Sequence, residues 1–173
     1  MKRELPAPQD DGDRKLLADV LQRGWHVVKV PGDDRAPGWC FTVGLQHTFE
    51  HPELVIFGLP LGTGHAVLNI AGEAITRGVS FEADRAYGEF LEGFVCILRP
   101  VDKGWFRPFL GYAMWFYRGA GFDAMQVFWP GRDGAMPWSP TASDWQRANQ
   151  PRLFESNEQD AGVTDLLKAL EEE

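Results

Sequence analysis

The sequence predicts one α+β domain in which two or three helices pack on a mainly antiparallel sheet of five or six strands. Three observations support this fold. The chain has 173 residues, 44% of them apolar, which is enough for a single hydrophobic core. Runs rich in β-branched and aromatic residues recur, and two of them, residues 39–45 and 54–59, flank a polar turn. A helical apolar periodicity covers residues 62–77. A partly closed, split barrel is the alternative arrangement of the sheet.

The first elements lead into this central strand pair. Residues 1–12 are charged, contain two prolines and lack periodicity, so we expect a mobile leader. Residues 13–23 form an amphipathic pattern that predicts a helix ending at Gly24. Residues 25–30 are rich in valine and predict a strand, and the segment 31–38 contains the prolines and glycines of a loop.

The helix predicted at residues 62–77 has the clearest pattern in the chain. Thr63 is its expected N-cap. Gly72 lies inside it and costs about 1 kcal/mol of helix propensity relative to alanine, which suggests close packing against a strand. After the helix we expect a short strand at residues 79–81 and a polar connection at 82–89.

The second half of the chain alternates strands with one aromatic segment. Residues 94–98 predict a core strand, and residues 122–129 predict the last strand. Between them, residues 105–117 contain seven aromatic side chains. The segment 108–118 predicts a helix that is apolar on all sides and is therefore buried or part of an interface.

The domain is accordingly expected to span residues 13–140. Residues 141–173 are more polar and form a predicted tail, in which a short amphipathic helix covers residues 163–170.

Composition and charge exclude several classes of function. The formal net charge is −8 and no stripe of Lys or Arg compensates, so we expect no nucleic-acid binding, whereas a basic protein partner fits. No apolar run approaches the length of a membrane span. Cys40 and Cys96 lie far apart in apolar runs, and no secretory leader is recognisable, which predicts a cytoplasmic protein with two buried thiols. The sequence contains no convincing catalytic Cys or Ser.

The polar turn carries a pattern that resembles a zinc site. Residues 47–51 match H-x-x-E-H, which places two imidazoles one helical turn apart with a carboxylate between them. Pro52 disfavours helical geometry at His51, and the flanking runs predict strands, so we do not expect zinc there. The remaining metal alternative is a non-helical site using His47 and His51 with Glu53 or His65.

His51 and Glu53 admit a functional and a structural interpretation. As functional groups, His51 would be an acid, a base or an anion contact, and Glu53 would orient it. As structural groups, both would form hydrogen bonds with the backbone in a turn fixed by Pro52.

Two further places contain candidate binding residues. His65 lies in the first turn of the helix that follows Gly62, where a phosphate or carboxylate could bind. Trp129, Asp133 and Trp138 surround a predicted tight turn, and they either form the wall of a pocket or only pack that turn.

Six collinear segments suggest a family. They are Gly24-Trp25, residues 41–45 (FTVGL), 51–54 (HPEL), 57–60 (FGLP), 126–130 (QVFWP) and 134–138. Together they resemble the uncharacterised bacterial family called domain of unknown function 4262. The chain departs from the family pattern at Gly131, where an acidic residue is expected. This resemblance implies a small bacterial cytosolic protein and implies no activity.

The order of the predicted elements is also similar to the flavin-reductase-like split barrel. That similarity implies flavin as cofactor, with Thr42, Thr63 and His65 beside its phosphate and with Trp129 and Trp138 stacked on its ring. It rests on the fold alone.

Two hypotheses on function follow. The first is a non-enzymatic binding protein that recognises a basic protein, for example as an immunity protein that neutralises a toxin. The second is a small-molecule or flavin-binding enzyme that uses a surface formed by His51, Glu53 and His65. A homodimer through residues 105–117 is compatible with either.

Overall fold

The computed structural model describes residues 4–156, so the helix predicted at residues 163–170 lies outside the described part. The chain contains six α-helices and six strands in this part. Their order is α1 Asp11–Arg23, β1 His26–Val30, β2 Trp39–Val43, α2 Leu45–Phe49, β3 Glu53–Phe57, α3 Leu61–Thr76, β4 Ala86–Leu91, β5 Phe94–Pro100, a 3-10 turn Lys103–Trp105, α4 Phe106–Phe109, α5 Gly111–Tyr117, β6 Ala124–Phe128 and α6 Asp144–Asn149.

The six strands form one sheet in the order β1-β2-β3-β6-β5-β4. Strands β3 and β6 run parallel, and every other neighbouring pair is antiparallel. The predicted α+β fold with a mainly antiparallel sheet is therefore confirmed. The sheet is open, with β1 and β4 at its two edges, so the split-barrel alternative does not hold.

A hydrophobic core covers each face of the sheet because successive side chains of a strand point to opposite faces. Phe41 and Phe57 belong to the core that packs against α1, α4 and α5. Cys40 and Ile56 belong to the core that packs against α3. Both cysteines are buried and unpaired, as predicted, and burial raises the pKa of each thiol to about 11.

Helix α3 matches its predicted range closely, with two corrections. Pro60 occupies the N-cap position and no side chain caps the helix, so the prediction of Thr63 as N-cap is wrong. Gly72 allows a close approach, but to an indole ring rather than to a strand. A Cβ at Gly72 would lie only 2.4 Å from Cε2 of Trp25, so any larger residue would collide with that ring.

The expected polar turn between β2 and β3 contains a short helix, α2. Gly44 precedes it with φ +114° and Glu50 ends it with φ +57°, so two left-handed residues define its limits. The flanking strands had suggested an extended turn, because five residues are too few to show helical periodicity.

Strand β5 contains the core strand predicted at residues 94–98, and it forms a hairpin with β4, which the sequence analysis missed. The segment predicted as a polar connection contributes β4, and no strand forms at residues 79–81. Gly93 adopts φ +80° at the tip of the hairpin, a conformation that suits glycine.

The aromatic segment at residues 105–117 forms two short helices instead of one. Leu110, with φ −124° and ψ 41°, separates α4 from α5. Five of the seven aromatic side chains are buried within the chain itself, and Tyr112 and Trp115 keep larger exposed fractions. Burial in the core therefore explains why this segment is apolar, and the homodimer remains a prediction.

The folded part extends beyond residues 13 and 140, the limits predicted for the domain. Helix α1 begins at Asp11, where the Asp10 carboxylate accepts a hydrogen bond from Asp13 N. Beyond residue 140, α6 packs on the domain and Leu153 is 0% exposed. Between residues 4 and 156, every helix is too short or too polar to cross a bilayer.

Candidate functional site

The sequence-predicted candidates lie mainly at the two ends of the parallel pair β3 and β6. At the amino ends of these strands, Glu53 N donates a hydrogen bond to Asp123 O over 2.9 Å. At the carboxyl ends, Trp129 Nε1 donates to Phe57 O over 2.8 Å. Most candidate side chains at the amino end are buried, whereas Trp129 and Asp133 at the carboxyl end line a cleft that is open to solvent.

The buried carboxyl group of Glu53 occupies the amino end. Glu53 is 0% exposed, and its Oε1 accepts hydrogen bonds from Gly44 N at 3.0 Å, Gln46 N at 3.0 Å and Tyr117 OH at 3.1 Å. Its Oε2 accepts a hydrogen bond from Thr42 Oγ1 at 3.1 Å. We call these five residues the Glu53 cluster. The carboxyl group accepts from the N–H groups of Gly44, the N-cap of α2, and of Gln46 in its first turn, which stabilises this short helix.

The chain itself supplies the hydrogen-bond partners of the cluster. Thr42 Oγ1 accepts from Leu54 N at 2.9 Å, and Tyr117 OH accepts from His47 N at 3.1 Å. Burial raises the pKa of Glu53 to about 8, although the hydrogen bonds that it accepts act in the opposite direction. Burial and the neighbouring Glu53 carboxylate also raise the pKa of Tyr117. The cluster joins β2, α2, β3 and α5.

His51 lies beside this cluster and is 4% exposed. Its Nδ1 lies 2.9 Å from Pro52 O, and its Nε2 accepts a hydrogen bond from Phe81 N at 3.0 Å. The two bonds require a neutral ring with the proton on Nδ1. Burial lowers the pKa of His51, which favours the same state. Both ring nitrogens are therefore occupied by backbone groups.

His47 faces a different direction. Its ring packs edge-on against Phe116, with the two ring centroids 5.6 Å apart. Within residues 4–156, His, Cys, Asp and Glu side chains form no group of three or more that could hold a metal ion. The alternative that placed metal between His47 and His51 gains no support from this arrangement.

His65 and Thr63 lie far from His51. His51 contacts Phe81, beyond the C-terminal end of α3, whereas His65 is in the first turns of that helix. Residues 65–76 span about 16 Å at 1.5 Å per residue. The structure therefore does not bring His51, Glu53 and His65 to one surface.

His65 instead lines a cleft of about 420 Å³ between α1, β1 and α3. We call it the basic cleft. The polar side chains that line it are Lys15, Asp19, Arg23, His26, Lys29, His65 and Asn69.

The two candidate tryptophans, Trp129 and Trp138, pack against different rings. Trp129 packs against Trp145, with a centroid distance of 5.9 Å. Trp138 packs against Phe128 at 5.0 Å and Phe154 at 5.8 Å. They contact different sets of rings and do not form the stacking wall that the flavin analogy requires.

Trp129 and Asp133 belong to a cleft of about 690 Å³ at the carboxyl end of the parallel pair. We call it the aromatic cleft. Phe94, Trp129 and Trp145 supply its rings, and Arg132 and Asp133 supply charged groups. Trp145 is 58% exposed and Phe94 is 43% exposed, so both present apolar surface to solvent.

Two buried glutamines hold α6 against this cleft. Gln146 Nε2 donates to Ala135 O at 2.6 Å, and Gln150 Nε2 donates to Trp129 O at 2.8 Å. Gln150 Oε1 accepts from Trp129 N at 3.0 Å. The helix that carries Trp145 is thus fixed to the segment that carries Trp129.

Phe94 and Trp145 were not recognised as binding candidates from the sequence. A signal for the helix that carries Trp145 was present, since Ser143 and Gln146 have the spacing of a capping box and Ser143 Oγ accepts from Gln146 N at 3.1 Å. Gly93 was the corresponding signal for the hairpin that exposes Phe94.

The fold and these sites define a small α+β domain with a closed polar cluster, the aromatic cleft and the basic cleft. Residues 19–143 match the family described as domain of unknown function (DUF4262), so the chain belongs to that family and the resemblance is confirmed. No curated protein and no solved structure matches the chain.

Proposed function

We propose that the protein is a non-enzymatic binding protein that recognises a basic segment of another protein in its aromatic cleft. The observation that carries this proposal is the exposure of Trp145 and Phe94 beside Trp129 in an open cleft of about 690 Å³. Contiguous exposed apolar surface is limited on monomeric proteins and marks interaction sites, and Trp is enriched among the residues that dominate binding energy at protein interfaces.

The charges around the cleft favour a cationic partner. Asp133 lines it, Glu92 precedes Gly93 at the tip of the β4–β5 hairpin, and Asp144 begins the helix of Trp145. Arg132 is the cationic side chain of the lining. Asp133 and Arg132 offset each other in the lining, so the attraction for a positively charged segment comes from the net charge of −8 of the chain.

The rings suit the same partner. The faces of Trp and Phe attract Lys and Arg side chains through the ring quadrupole, most strongly for Trp. The volume of the cleft lies in the range that accommodates a few side chains or a small ligand. Because Gln146 and Gln150 already fix α6, little ordering of the frame is needed on binding.

The competing enzyme hypothesis gains nothing from the geometry. Its surface required His51, Glu53 and His65 together, yet two of them are buried in backbone hydrogen bonds and the third lies at another cleft. Its flavin version also rested on a partly closed, split barrel, which the open sheet does not form. An immunity protein bound to a basic toxin would be one form of the proposed function, and a bacterial cytoplasmic setting remains part of the proposal.

The test is a titration of the ¹⁵N-labelled protein with an oligo-arginine peptide, followed on the indole N–H resonances. We expect saturable shifts of the Trp145 and Trp129 signals. Trp145→Ala should weaken binding at least about tenfold, as removal of a hot-spot residue does. Leu21→Ala is the matched control, since Leu21 is an apolar side chain 73% exposed on α1.

An oligo-glutamate peptide and the Leu21→Ala variant decide the outcome. Equal binding of both peptides, or equal loss of affinity in Trp145→Ala and Leu21→Ala, would refute the proposal. Wild type, Leu21→Ala and Trp145→Ala should then be used as baits for affinity purification from cells. The wild-type and Leu21→Ala baits should retain a partner, and the Trp145→Ala bait should not.

A further inference from the structure

The basic cleft is an open site that runs along β1, which lies at an edge of the described sheet. Helix α1 borders it on one side with Lys15, Asp19 and Arg23. Its other side is formed by the first turns of α3. Lys29 on β1 adds a third Lys or Arg side chain, so three basic side chains and one acidic side chain line the cleft of a protein whose net charge is −8.

Asp19 holds two of the polar groups in place. Its Oδ2 lies 2.7 Å from Nδ1 of His26 and 3.5 Å from Nζ of Lys15. Burial raises the pKa of Asp19, but His26 and Lys15 outweigh it, so the carboxyl is more acidic than usual. The bond at Nδ1 fixes the imidazole plane of His26 and leaves Nε2 as its other polar atom.

Asn69, on the α3 side of the cleft, likewise holds polar groups in place. Its Oδ1 accepts hydrogen bonds from Arg23 at 2.7 Å and from Trp25 Nε1 at 3.0 Å, which fixes the orientation of the amide. Its Nδ2 then lies 3.4 Å from the ring nitrogens of His65. Arg23 also stacks over the Trp25 ring at 4.9 Å, so its guanidinium is held in a defined position.

The cations act together at His65. Burial lowers the pKa of His65, and the positive charges of Lys29, Arg23, His26 and Lys15 lower it further. These charges belong to two different elements, α1 and β1, and they repel a proton at one place. The potential that disfavours a proton there favours an anion.

We propose that the basic cleft binds the phosphate group of a small phosphate monoester. Phosphate offers three acceptor oxygens and close to two negative charges, and Arg, Lys and imidazole donors match them. A single phosphate is smaller than the cleft of about 420 Å³, so the organic part of the ligand has room beside Tyr112, which lines the cleft and is 40% exposed. This site is separate from the aromatic cleft and does not depend on its function.

The test uses inorganic phosphate as the probe and the imidazole resonances of His26 and His65 as the readout, at constant pH and ionic strength. We expect both signals to shift and to saturate together. Lys15→Gln and Lys29→Gln should each raise the dissociation constant about two- to fivefold, the effect of one exposed charge contact. Both lysines are exposed, so these variants should fold normally.

Arg77→Gln is the matched control. It also removes one exposed cation, but Arg77 follows α3 at the end opposite His65, about 18 Å away along the helix. The Arg77→Gln variant should bind phosphate with the affinity of wild type. Three results would overturn the proposal: shifts that do not saturate, equal weakening in Arg77→Gln, or acetate binding as tightly as phosphate.

Discussion

The two ends of the parallel pair β3 and β6 contrast in what they offer to a ligand. At the amino ends, Glu53 and His51 are buried, and the backbone and neighbouring side chains occupy their polar atoms. At the carboxyl ends, Trp145 and Phe94 expose ring faces around a cleft. Hydrogen bonds completed within the chain stabilise the fold, whereas surface without an internal partner is available for binding.

Glu53→Ala should produce the largest effect on stability. The substitution leaves Gly44 N, Gln46 N and the hydroxyls of Thr42 and Tyr117 without their acceptor inside the protein. We expect a loss of about 3 to 5 kcal/mol in the free energy of unfolding, measured by urea denaturation.

Glu53→Gln is its control. The amide oxygen can still accept from Gly44 N and Gln46 N, so the loss should be only about 1 kcal/mol. If Glu53→Ala were as stable as Glu53→Gln, the cluster would not stabilise the fold and the contrast between the two ends would fail.

The pH dependence of stability should separate His51 from Glu53. Because burial lowers the pKa of His51, the unfolded chain takes up a proton below about pH 6.5 while the folded protein does not. Stability from His51 is thus complete above pH 6.5 and is lost as the pH falls, by up to about 1.4 kcal/mol per pH unit. His51→Gln keeps an acceptor for Phe81 N but should lack this slope.

Glu53 should show the opposite slope. Its pKa is raised to about 8, so between pH 4.5 and 8 the folded protein retains a proton that the unfolded chain has lost. Stability from Glu53 is complete below pH 4.5 and falls as the pH rises to 8. Urea titrations of wild type, His51→Gln and Glu53→Gln across this range measure both slopes. Curves of equal shape in all three proteins would contradict the assignment.

Trp145→Ala should have the smallest effect on stability. Most of this side chain is already in solvent, so we expect a change below about 1 kcal/mol in the free energy of unfolding. Thermal denaturation checks this value alongside the peptide titration. A protein that unfolds on this substitution would show that Trp145 supports the fold, and the aromatic cleft would lose its clearest binding residue.

The sequence predicted individual elements best where their pattern was long or strongly apolar. Helix α3 has enough residues to show its period, and β2, β3 and β6 consist of apolar runs bounded by polar residues or glycine. Helix α2 and strand β4 were missed, whereas β5 contains the core strand predicted at residues 94–98. Helix α2 is short, and its conformation depends on the bonds from Gly44 N and Gln46 N to Glu53. Strand β4 lies in a mostly polar segment and depends on its pairing with β5.

The sequence alone therefore determined the fold class, the buried thiols and the family, because composition, local periodicity and short collinear motifs carry that information. It also placed His51 and Glu53 at one important turn. Only the tertiary structure decided that both are buried in backbone hydrogen bonds, that His65 joins His26 and Asp19 at another cleft, and that Trp129 faces Trp145. These pairings depend on strand order and helix packing, which bring together residues whose spacing along the chain gives no local signal.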